Sequence, residues 1–149
     1  MRRSARVKQL AEIAGIREVQ RTRSEADAMR AAADRALAEL ALSERRQQSQ
    51  SVEDKWLASV TANSFSPELA NLWASHAREA QAAVRKAAVE ADRAGEELEL
   101  RTSSFDRATA RHDLAREAKR KAARKDTQKI EDAVLQDALD RHGQRRRVG

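Results

Sequence analysis

Asn63-Ser64-Phe65-Ser66-Pro67-Glu68 contains the only proline of the chain and divides 149 alanine-rich, charge-rich residues into two long arms. Ser66 is suited to accept a backbone N–H bond as an N-cap. Pro67 is preset for the first helical position, where its missing N–H costs nothing, and Glu68 favours the positive end of the helix dipole. A helix therefore starts at Pro67, and another ends just before the bend. The expected fold is all-α: a long antiparallel two-helix coiled-coil hairpin with a C-terminal overhang. Its parts are a helix over about 4–62, a bend at 63–66, a helix over about 67–142 and a basic tail at 143–149.

Composition agrees. Charged residues make up 36% of the chain and aromatics 3%, with no Cys, no Tyr and four Gly, so few bulky side chains are available for a core. Alanine, about a fifth of the residues, loses least on entering a helix. Disorder is the competing reading of low hydrophobicity, but disordered chains are rich in Pro, Ser and Gly rather than Ala and Leu. Without cysteine there is neither a disulfide framework nor a zinc thiolate site. Met1-Arg2-Arg3-Ser4-Ala5-Arg6 is basic like the start of a signal peptide, yet Lys8, Glu12, Arg17 and Glu18 interrupt what would be its apolar region. No stretch approaches the roughly 20 apolar residues of a membrane span. A soluble, intracellular protein is expected.

Along the first arm, Val7, Leu10, Ile13, Ala14 and Val19, then Ala26, Met29, Ala33, Ala36, Leu37 and Leu40, recur at helical steps and read as the seam. Val52, Trp56, Leu57 and Val60 resume it near the bend. In the second arm the matching series is Leu69, Leu72, Trp73, His76, Ala80, Ala83, Val84, Ala87, Ala91, Leu98, Phe105, Ala108, His112 and Ala115. Small residues in both seams let two helices approach closely. At 1.5 Å per residue the arms extend roughly 90 and 115 Å. Folding at the bend pairs position i with about 130 minus i, so everything after about Asp126 overhangs. That overhang carries Ile130, Val134, Leu135, Ala138 and Leu139, which either bury against another molecule or stay solvated.

Charge is uneven. Arg2, Arg3, Arg6 and Lys8 give +4, residues 116–129 give +5 and Arg141 with Arg145, Arg146 and Arg147 gives +4, a total of +13 against a whole-chain +6 that leaves −7 elsewhere. Such an end suits an acidic protein surface, nucleic acid or anionic lipid, or simply aids solubility.

Chemistry is sparse. His76, His112 and His142 fall in no metal-ligand pattern, and isolated glycines form no phosphate-binding loop. Ser103, Ser104, Asp106 and His112 include the residue types of a nucleophilic triad, but on one helix they lack an oxyanion hole and a pocket. The chain reads as a non-enzyme with no cofactor, no metal and no small-molecule substrate. One cluster stands out near the bend: Phe65, Leu69, Leu72 and His76 at steps of four, three and four, with Trp73 adjacent and Trp56 on the other arm. It plugs the hairpin tip, or it is a docking patch of aromatic and aliphatic anchors.

These features resemble the family of flagellar FliJ and YscO-type type III secretion proteins, over the whole chain and through length, arm asymmetry and residue character. The resemblance implies a two-helix coiled coil similar to the central stalk of rotary ATPases. It implies a cytoplasmic, non-enzymatic coupler between the export ATPase hexamer and the cytoplasmic domain of the export gate, peripheral to the inner membrane and serving protein export, with export chaperones as further partners. On this resemblance Phe65, Leu69, Leu72, Trp73 and His76 contact the gate. Arg120, Lys121, Arg124 and Lys125, with Ile130, Val134, Leu135 and Leu139, face the ATPase ring. The facing arm, with Glu44-Arg45-Arg46-Gln47-Gln48, lacks the tyrosines the family pattern leads one to expect. Two other readings stand beside it: a basic coiled coil that binds nucleic acid through phosphate contacts, and a generic coiled-coil scaffold.

Overall fold

A computed structural model describes residues 4–147, with side chains through Gln144. Arg2 and Arg3, the side chains of Arg145, Arg146 and Arg147, and the last two residues lie outside that description. The fold is an all-α helical hairpin of two helices packed against each other, α1 (Ala5–Thr61) and α2 (Pro67–Arg147). α2 continues to Arg147, past the end near 142 expected from sequence.

The helix ends are made by hydroxyl groups. At the bend, the Leu69 N–H donates to Ser66 Oγ at 3.4 Å and the Ala70 N–H to the Ser66 carbonyl at 3.0 Å, an N-cap just before Pro67. α1 ends without a residue in the left-handed region. Instead the Ser59 hydroxyl donates to the Trp56 carbonyl at 2.6 Å and the Thr61 hydroxyl to the Leu57 carbonyl at 2.8 Å. The start of α1 uses Ser4 in the same way, with the Val7 N–H donating to Ser4 Oγ at 3.3 Å.

The chain divides into two compact units. In the termini unit, Met1–Ser24 joins Phe105–Gly149, and the Ser4 N–H donates to Asp126 Oδ2 at 3.1 Å. In the bend unit, Glu25–Ser104, Gln81 Nε2 donates to Glu53 Oε1 at 3.1 Å, Arg101 reaches Asp27 at 4.0 Å and Arg35 faces Gly95. These are antiparallel pairings of position i with about 130 minus i. Within the termini unit, α2 beyond Asp126 passes the start of α1, and its side chains from Glu131 to Gln144 are exposed.

The seam is built from small residues. Its buried apolar members are Val7, Ala14, Ala31, Ala70, Ala87 and Ala91. In α1, Val7, Ala14, Arg21, Ala28, Leu42 and Ser49 fall on one seven-residue repeat and are buried or half-buried, with Leu10, Arg17, Ser24, Ala31, Ala38 and Val52 on the interleaved positions. In α2, Ala70, Ala77, Val84, Ala91, Leu98, Phe105 and His112 repeat likewise. The α1 stripe read from sequence is therefore corrected. Val7, Leu10, Ala14 and Val52 belong to the seam, whereas Ile13, Val19, Met29, Leu37, Leu40, Trp56, Leu57 and Val60 are 39% to 69% exposed. Ala26, Ala33 and Ala36 are exposed as well. In α2, Leu69, Leu72 and His76 turn outward while the rest of the series is buried or half-buried. Alanine facing alanine brings two backbones close enough for dense dispersion contact, and that outweighs the larger area of the Met29, Leu37 and Leu40 face.

Candidate functional site

In the bend unit, helical steps along α2 place Leu69, Leu72 and His76 on one exposed face, and Phe65, in the bend before Pro67, is exposed beside its start. Phe65 is 56% exposed, Leu69 46% and Leu72 51%, and His76 is exposed too. Trp73 turns inward instead. Its ring meets His76 edge-on at 5.5 Å between centroids, and Lys55 Nζ from α1 lies 5.2 Å from its centre, a cation–π contact across the pair. Trp56 is half in solvent and, with Leu57, Ala74 and Ala77, floors a groove of about 510 Å³ rimmed by Glu53 and Asp54. The anchors are thus divided between an open aliphatic face and a tryptophan fixed by its neighbours.

In the termini unit, a groove of about 470 Å³ runs between the two helices. Its α1 wall is Ala11, Ala14, Gly15 and Glu18, and its α2 wall is His112, Arg116, Lys119 and Arg120. A Cβ at Gly15 would meet nothing within 4 Å, so the glycine leaves the wall open rather than permitting a close approach. His112 is 7% exposed, with Nδ1 3.4 Å from Asp113 Oδ1. Arg116, Lys119 and Arg120 form no ion pair among the described residues, so the groove carries three cations against the single carboxylate of Glu18.

The other basic residues singled out in the sequence separate. Lys121 pairs with Glu117 at 2.7 Å, which holds the Glu117 carboxyl below its ordinary range through that hydrogen bond and the lysine charge. Lys121 and Lys125 line a second groove of about 290 Å³ with Arg6, Leu10 and Ala122, while Arg124 points to solvent. Ile130 is half-buried, and Val134, Leu135 and Leu139 are 61%, 61% and 66% exposed. Steps of four put Ile130 and Val134 on one face and Leu135 and Leu139 on another. The continued seam positions are Ala133, Gln136 and Asp140, so the apolar face leaves the seam where α1 begins.

Sequence reasoning missed the His112 groove. A signal was present: His112, Arg116 and Lys119 step by four and three on one face, and Gly15 falls opposite them at the hairpin register. No family model, curated protein or solved structure matches the chain. No helix among the described residues is long and apolar enough to cross a membrane. No group of side chains is set up as nucleophile, base and oxyanion donor among the described residues.

Proposed function

We propose that this protein is a non-enzymatic stalk of a flagellar or type III export apparatus, resembling the FliJ and YscO-type proteins, and that it couples the export ATPase ring to the membrane export gate. The observation that carries the reading is the inversion of the apolar residues. Alanine fills the seam, and the bulky side chains Phe65, Leu69, Leu72, Val134, Leu135 and Leu139 face outward. A helical pair with anchors on its surface acts by contact. In this reading Phe65, Leu69, Leu72 and His76 contact the gate, with Trp73 supporting them. The basic residues Arg120, Lys121, Arg124 and Lys125 steer the termini unit to an acidic ring mouth, and Ile130, Val134, Leu135 and Leu139 hold it there. The protein works in the cytoplasm, at the membrane only through these partners, and without a cofactor.

The test mixes the protein with its candidate export ATPase and measures hexamer assembly and ATP turnover. Stimulation that disappears on removal of residues 126–149 supports the reading, and no change with the full chain sinks it. Replacing Phe65, Leu69 and Leu72 by alanine is expected to weaken gate binding while circular dichroism stays unchanged; lost helicity would mean that they plug the tip.

A second reading is favoured by the unpaired cations Arg116, Lys119 and Arg120. A coiled coil that binds nucleic acid through them would show affinity falling linearly in log–log form with salt.

A further inference from the structure

One face of α2 in the termini unit changes character along its length. His112, Arg116, Lys119, Ala123, Ile130 and Val134 follow one another at steps of three, four and seven, and so share that face. Its first half is the open groove with three unpaired cations. Its second half lies beyond the start of α1, where Val134 is exposed and Ile130 half-buried, and residues 130–140 carry Glu131, Asp132, Asp137 and Asp140 with no basic residue. The first half is basic and the second acidic, and they lie at equal distances either side of about position 125.

A face of that kind is complementary to itself when turned by a two-fold rotation, the symmetry of most protein dimers. We propose that two copies of this chain associate through antiparallel α2 segments, Ile130 and Val134 of each covering the His112 and Arg116 groove of the other. In this pairing Arg116 lies across from Val134 of the second copy and gives it an aliphatic stem to pack on. Arg120 meets Glu131 of the second copy on one flank. Gly15, Ala11 and Ala14 keep the α1 wall low enough to admit the incoming helix. Each contact occurs twice, so one substitution removes two. A foreign partner would have to supply a basic groove and an acidic, apolar helix at matching spacing; a second copy already has both. The association stands independently of the export reading, because it is measured on the protein alone.

Sedimentation velocity of the full chain at low salt, between about 5 and 200 µM, should show a monomer–dimer equilibrium that weakens as salt screens the flanking charges. Arg120→Glu and Glu131→Arg are each expected to weaken the dimer by about tenfold or more, and the double variant, which restores opposite charges across the two-fold, to recover it. Val134→Asp should give a monomer of unchanged helicity. Leu114→Lys, exposed but on another face of the same segment, should dimerise as wild type. A wild-type monomer throughout this range overturns the proposal. So does a dimer indifferent to both charge reversals, or a double variant that fails to recover.

Discussion

Asp126 ties the start of α1 to α2. Its carboxylate accepts from the Ser4 hydroxyl and N–H, and these bonds, with a smaller contribution from the Lys129 charge, hold its pKa below the ordinary aspartate range against the opposing effect of desolvation. A depressed carboxylate pKa stabilises the folded form above the unfolded value, and that contribution disappears as pH falls through the folded value. Fraying of the α1 start, followed by amide exchange near Val7, is therefore expected to increase as pH drops below about 4. Asp126→Asn should make the protection there, measured as exchange relative to the intrinsic rate at each pH, insensitive to pH in the same range. Elsewhere at this scale, a Cβ at Gly95 would meet Arg35 Nε at 4.0 Å, an ordinary contact. Gly95→Ala should raise stability by about 0.5–1 kcal/mol in urea unfolding, because mid-helix glycine loses more backbone entropy. The Ser66 cap was legible from residue types alone. The Ser4 and Asp126 bond was not, since it joins residues 122 positions apart.

For each helix, the decisive matter is which of two apolar stripes faces its partner. In α1 the stripe through Ala28, Ala31 and Ala38 is enclosed and the stripe through Met29, Leu37 and Leu40 is outside. Ala31→Leu should destabilise by about 1–3 kcal/mol, since extra methylenes force the helices apart. Leu37→Ala should change stability by no more than about 0.5 kcal/mol, because that side chain is 65% exposed. In α1 helical spacing placed Val7, Leu10 and Ala14 in the seam correctly but carried it through Met29, Leu37 and Leu40, which lie outside. α2 was read more closely, because Ala87, Ala91 and Leu98 have no bulkier rival series beside them. Both helix spans were legible, since helix-forming composition and the absence of internal proline do not depend on the partner.

For the molecule as a whole, function follows from what stays exposed. Because α2 from residue 127 onward lacks cover from α1, trypsin in dilute solution is expected to cut first at Lys129 and Arg141, with mass spectrometry reading the order of release. Raising the protein concentration should slow the cut at Lys129 if the second copy covers it, and leave cuts in the bend unit unchanged. Of the candidate surfaces, the aliphatic face from Phe65 to His76 was legible because a short, bulky stripe near a bend stands out in an alanine background. The basic groove was not, because its walls come from both arms.

Sequence alone determined the two helices, the bend at Ser66 and Pro67 and the uneven charge, since propensity, capping and composition act within a few residues of one another. Only the tertiary structure decided which α1 stripe is enclosed, that Leu69, Leu72 and His76 turn outward, and that a groove opens between the cations of α2 and the Gly15 wall. Those outcomes depend on how closely two backbones approach, and close approach rewards small residues over the bulkier ones beside them.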